Sequence, residues 1–219
     1  GRRRLNGRGD GWIRRCENVG SRLGPAFEHT SEFLAGIEVG LNAAPALVYC
    51  DSDGDRDLHV GTSAGRIQYW RNNGSAASFQ PVLDTAQLGG IKVDQYAVPR
   101  PVDLNGDNLI DLLVGEWDFN GFANVRLYAN TGTPGAPILS LITESLLKRE
   151  VRDYTVPEPF DWNGDGTTDI ILGRRASGLT VYVGTYPNGA FPDSTSWIPL
   201  PDTLDAGDAG TFLAARMVD

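Results

Sequence analysis

Nine residues, Asp161-Trp162-Asn163-Gly164-Asp165-Gly166-Thr167-Thr168-Asp169, put oxygen-bearing side chains at positions 1, 3, 5 and 9 of one short loop. Alternate side chains of a tightly curled loop converge, so such a stretch must close around positive charge or be pushed open by its own. Gly164 and Gly166 permit the curl, and Ile170-Ile171-Leu172 before Gly173 reads as a buried strand leaving it. The spacing recurs in Asp103-Leu104-Asn105-Gly106-Asp107-Asn108-Leu109-Ile110-Asp111, followed by Leu112-Leu113-Val114-Gly115. In both copies a proline (Pro99, Pro157) stands four residues before the first Asp and a glycine twelve after it, which makes the stretch a repeat.

The ligand chemistry this spacing suits is that of a hard divalent cation, which takes roughly six to eight oxygens. The expected Ca²⁺ ligands are Asp103, Asn105, Asp107, the Leu109 carbonyl and Asp111, and Asp161, Asn163, Asp165, the Thr167 carbonyl and Asp169. Carrying the frame upstream aligns Pro45 with Pro99 and Gly61 with Gly115, which puts Tyr49 at position 1 and Asp51, Asp53, Asp55 and Asp57 at 3, 5, 7 and 9. Either Asp55 takes over the missing first ligand or Tyr49 leaves the site weakened. Four carboxylates without a cation repel strongly at this range, which favours a shifted but occupied third site.

Each loop and strand leads into a further strand, and two of these end in an aromatic-Asn-Gly segment: Tyr69-Trp70-Arg71-Asn72-Asn73-Gly74, and Tyr128-Ala129-Asn130-Thr131-Gly132. In Leu179 to Gly184 the Asn is missing. Loop, strand, glycine and aromatic-Asn-Gly together resemble the FG-GAP/VCBS calcium repeats of integrin-alpha-type β-propellers. The resemblance covers nearly the whole chain and implies an all-β propeller with one four-stranded blade per repeat, calcium loops on one rim, and an extracellular or cell-surface setting. The repeats run approximately over 1–44 (partial, since Gly11 to Gly20 aligns with Gly65 to Gly74), 45–98, 99–156 and 157–214, with 215–219 opening another. About four blades are expected, in one domain or a piece of a larger propeller.

A 219-residue chain with 27 Gly and 13 Pro suits a turn-rich β protein, and no apolar stretch is long enough for a membrane span. The formal charge of −9 argues against a nucleic-acid binder. Ten of the 28 carboxylates lie in the three loops, so the acidity belongs largely to the candidate metal sites. The opening Gly1-Arg2-Arg3-Arg4 has neither an initiator Met nor an apolar signal region and reads as an internal or processed end.

Other features weigh less. Arg8-Gly9-Asp10 is a tripeptide that integrins recognise, but Gly and Asp are also ordinary turn residues. Asn73-Gly74-Ser75 is an N-glycosylation sequon on an expected hairpin tip, where Asn-Gly is also a favoured turn. Cys16 and Cys50 either pair or stay as buried thiols. His29 and His59 are the only histidines, His59 at the position of Leu113 and expected to be packed. Trp117, in an insertion between strands, and Trp162 are the aromatic candidates for recognition. With no nucleophile elbow, phosphate loop or zinc spacing, the expectation is a non-catalytic module that binds a protein partner or further blades. A calcium-dependent lectin that binds glycans, or the propeller of a polysaccharide-active enzyme, is the alternative.

Overall fold

The computed structural model describes residues 3–7, 10–21, 24, 26–29, 34, 36–51, 53–117, 124–147, 154–174 and 179–201. Among them there is no α-helix, and the strands group into four antiparallel sheets. The first sheet has three strands, β1 (Arg3–Gly7), β2 (Ile13–Asn18) and β3 (Phe27–His29). Each of the others has four. β4 (Ala44–Val48), β5 (Asp57–Gly61), β6 (Ile67–Asn72) and β7 (Pro81–Thr85) form the second; β8 (Gln95–Val102), β9 (Asp111–Trp117), β10 (Val125–Asn130) and β11 (Leu139–Thr143) the third. The fourth is β12 (Thr155–Phe160), β13 (Asp169–Arg174), β14 (Leu179–Gly184) and β15 (Trp197–Pro199). The expected all-β fold is thus present as consecutive up-and-down blades, with one 3₁₀ turn among the described residues, at Leu88–Gly90.

Two compact units divide the chain: residues 1–49 with 53–99, and 50–52 with 100–219. In the first unit, Ile13, Leu34, Ile37, Leu58 and Val60 form the core. In the second, Leu113, Leu127, Leu146, Ile170, Leu172, Tyr182 and Trp197 do so. The second strand of each four-stranded sheet is buried along its length, apolar throughout in Leu112-Leu113-Val114 and Ile170-Ile171-Leu172 and interrupted by His59 in β5. Leu58 faces Trp70, Leu112 faces Tyr128 and Ile170 faces Tyr182, so the aromatic of each repeat occupies one register position.

The glycine twelve residues after the loop start has a packing cause. A Cβ on Gly61 would collide with the Ala97 carbonyl oxygen and sit 2.7 Å from Pro99 Cδ, and one on Gly115 would collide with the Thr155 oxygen and sit 2.6 Å from Pro157 Cδ. Each glycine therefore lets the next repeat's first strand approach closely. That strand is the edge of its sheet, where a proline costs no ladder hydrogen bond, which accounts for the Pro lead-in. One step along, Arg100 on β8 and Glu158 on β12 hold the same place in successive repeats and pair at 2.8 Å, both largely buried. The outer strands β7 and β11 each carry a bulge at the same register and expose Val82, Leu83, Leu141 and Ile142. Residues 144–147 do not continue β11 as a strand. β11 ends at Thr143, Ser145 N–H turns onto Thr143 Oγ1, and Leu146 and Leu147 drop into the core.

Candidate metal centre

In the loop 161–169, Asp161 at position 1 caps the curl: Oδ1 accepts the Gly164 N–H at 2.8 Å and Oδ2 the Gly166 N–H at 3.0 Å. Asp103 does the same in the loop 103–111, taking Gly106 N–H at 2.8 Å, Asp107 N–H at 3.1 Å and Asn108 N–H at 2.9 Å. Position 3 is an Asn whose Oδ1 accepts the N–H of position 5, at 2.9 Å for Asn163 and 3.1 Å for Asn105. Its Nδ2 donates to Oδ2 of that same Asp, at 2.8 Å to Asp165 and 2.9 Å to Asp107. Position 5 in turn accepts from position 7, Asp165 from Thr167 N–H at 2.7 Å and Asp107 from Leu109 N–H at 2.8 Å. These bonds to the ionised form, the Thr167 N–H first, hold the Asp165 carboxyl below its ordinary range. At position 6 the chain turns through the left-handed region, with φ of +85° at Gly166, +66° at Asn108 and +89° at Gly54. Asn is the side chain that tolerates this best, which is why Asn108 can replace a glycine.

Position 9 plays a second part that spacing alone did not reveal. Asp57, Asp111 and Asp169 are each 0% exposed. One oxygen of Asp111 accepts Leu104 N–H at 3.1 Å and the other Asn130 N–H at 2.8 Å; Asp169 likewise takes Trp162 N–H and Gly184 N–H, both at 2.8 Å. Asp57 takes Asn72 N–H at 2.8 Å and the Tyr69 hydroxyl at 3.0 Å. Each thus ties the loop or its second strand to the end of the third strand. Burial pushes the Asp111 carboxyl up to about 6 against those two N–H bonds, and the charges of Asp107 and Asp103 push the same way.

The aromatic-Asn-Gly segment is also explained. Asn72 Oδ1 accepts Gly74 N–H and Gln80 N–H, and Asn130 Oδ1 accepts Gly132 N–H and Ile138 N–H. Asn18 does the same for Gly20 and Ala26. The Asn closes the outer hairpin, and the third copy, with Gly184 there, keeps only the backbone bond to Asp169.

The first loop differs. Tyr49, at position 1, is 56% exposed with the Arg56 guanidinium 5.1 Å over its ring. Asp53 keeps the position-5 bond, accepting Asp55 N–H at 2.9 Å. The Asp55 carboxylate is buried and accepts the Asn72 amide at 2.8 Å, and Asp51 is half-buried. His59 is 4% exposed, edge-on to Tyr69 at 5.6 Å, with no partner on either ring nitrogen; burial pushes it down to about 4.

As a donor set, loops 103–111 and 161–169 offer carboxylate, amide and carbonyl oxygens alone, which fits a calcium-type cation rather than a thiophilic or imidazole-seeking one. In the conformation described their carboxylates rest on loop N–H groups, and among the described residues no three His, Cys, Asp or Glu side chains converge on one point. Of the other candidates, Asp10 sits in an exposed turn and accepts Trp12 N–H, while Arg8 and Gly9 lie outside the described residues. Asn73 is exposed in the β6–β7 hairpin loop. Trp162 is 39% exposed, and Trp117 is half-buried at the end of β9, with the rest of its insertion outside the described residues. Cys50 is buried, and the Cys16 side chain is not described.

No curated protein and no solved structure matches the chain. Residues 50–114, from the first loop through the loop and second strand of the next sheet, match the family of FG-GAP-like repeats, and the four-stranded antiparallel sheets have the form of the β-propeller blades such repeats build.

Proposed function

We propose that this chain is a non-catalytic interaction module of the cell surface or extracellular space, whose loops 103–111 and 161–169 bind calcium. The observation that carries this reading is the shared wiring of the two loops: the side chains at positions 1, 3, 5 and 9 each have an oxygen anchored by an N–H group of the same curl. The cation would supply the positive charge these carboxylates lack. The residues themselves do the rest: position 1 curls the loop, positions 3 and 5 brace it, and position 9 anchors it to the third strand. Cation binding then becomes folding free energy, and the loops present a stiff surface to a protein partner or to further blades.

Calorimetric titration of the intact chain with calcium chloride, alongside melting in calcium and in EDTA, tests this. Two sites and a melt stabilised by calcium are expected, and Asp165→Ala removes one of them. At about a hundredfold excess over Kd each site contributes about 2.7 kcal/mol. Identical melts in calcium and EDTA would sink the reading. Trp162, exposed at position 2 of the third loop, favours a glycan ligand as the second reading. That reading predicts calcium-dependent glycan binding that Trp162→Ala abolishes.

A further inference from the structure

The second candidate loop has a neighbour seated on it, the turn that joins β14 to β15. Gly189 N–H donates to the Asn105 carbonyl at 2.7 Å. Gly106, at φ +78°, lies so close to Asn188 that a Cβ there would collide with Asn188 Oδ1. Leu104 is 3% exposed in the cluster that contains Tyr186 and Trp197. Three successive residues between ligand positions 1 and 5 are therefore held, by side chain, carbonyl and Cα in turn, from the following sheet.

A looser approach at the same place is seen one repeat earlier. Gly135 stands in the β10–β11 turn where Gly189 stands in the β14–β15 turn, each five residues past the end of its third strand. A Cβ on Gly135 would lie 3.6 Å from the Asp51 carbonyl oxygen, and Asp51 occupies the loop position that Asn105 holds in the next copy. By contrast, Gly164, which matches Gly106 in position and has φ of +76°, has nothing within 4 Å of an added Cβ.

We propose that the turn Tyr186-Pro187-Asn188-Gly189 is a positioning element for the second cation loop, so that cation binding at Asp103 to Asp111 and docking of that turn strengthen each other. Asn188 and Gly189 act through Asn105 and Gly106, whose backbone sets where Asp103 and Asp107 hold their oxygens. Coupling of this kind is reciprocal: what the cation does for the turn, the turn does for cation affinity. The proposal rests on the calcium reading above.

The test uses the full chain carrying Asp165→Ala, so that the third loop is silent, with calcium chloride as the probe. Calcium is expected to slow hydrogen exchange at the Gly189 N–H roughly tenfold, because that bond breaks only when the turn lifts from the loop. Gly106→Ala should abolish the slowing and weaken calcium binding roughly threefold or more, the scale of coupling between contacting residues. Adding Asn188→Gly to Gly106→Ala should restore part of the affinity, a rescue that general destabilisation does not give. Calcium heat with unchanged Gly189 exchange would overturn the positioning role and leave the calcium reading standing. Absence of calcium heat in the unmutated chain would overturn both.

Discussion

The loops Tyr49 to Asp57 and Asp103 to Asp111 are built on one frame, yet only part of it is shared. Both turn through positive φ at position 6, both keep the bond from position 5 to the N–H of position 7, and both bury a position-9 Asp whose oxygen holds the N–H of an Asn at the end of the third strand. They part at position 1, where Asp103 caps three N–H groups and Tyr49 lies exposed under Arg56. They part again at position 7, where the Asp55 side chain is taken up by Asn72 while Leu109 offers only its backbone. The lesson is that the frame has two separable layers. Positions 5, 6 and 9 keep the same backbone bonds in both loops and so belong to the blade as well as to the loop, whereas positions 1 and 7 are where the two loops diverge.

The strongest way to break that division is at position 9. Asp111→Ala would leave the buried N–H groups of Leu104 and Asn130 without acceptors, at about 2 kcal/mol each, so about 4 kcal/mol of stability should go. Asp57→Ala should cost a similar amount, through Asn72 N–H and the Tyr69 hydroxyl. Urea unfolding in EDTA measures both. If position 9 served the cation alone, neither substitution would matter once the cation was removed.

A second contrast lies two residues further along the second strand. His59 and Tyr69 face each other where the next repeat places Leu113 opposite Leu127. The folded chain keeps His59 neutral down to about pH 4, whereas the unfolded chain protonates it below about 6.5. A depressed pKa of this kind means that the unfolded state binds the extra proton, so stability is lost as pH falls through 6.5 toward 4. The loss attributable to His59 is about 3 kcal/mol by pH 4. Unfolding curves for the parent and for His59→Leu, the residue the next repeat uses, should diverge over that window; parallel pH profiles would show that the buried ring is not the titrating group.

How much of this could be read beforehand follows the same two layers. The Asp/Asn spacing, the glycine at Gly61 and Gly115, and the Asn of the aromatic-Asn-Gly segment all recur in the chain; the glycines prove to make room for the next strand and the Asn to close the outer hairpin. The partners were hidden. That Asp111 reaches Asn130, nineteen residues on, depends on strand register, and that Asn188 lies against Gly106 depends on how successive sheets stack. No periodicity within one segment carries either fact. The turn after β11 has a similar origin: Leu146 and Leu147 carry a strand-like apolar signal in the sequence, but both side chains fill the core beneath a turn.

The gentlest test of the comparison gives the first loop what it lacks. Tyr49→Asp removes an exposed ring, so it costs little packing, and it places a carboxylate where Asp103 and Asp161 cap their curls. An Asp cap of exposed N–H groups contributes about 1 kcal/mol at a helix start, and a comparable gain is expected here without any cation. In calcium the gain should grow, with one more binding event in the titration than the parent shows. A variant that gains in EDTA but binds no further calcium would assign the first loop's divergence to position 7, where Asn72 already occupies the Asp55 carboxylate. One that gains in neither condition would mean that the curl at Gly54 is held without a position-1 cap, and that the frame's shared layer is sufficient by itself.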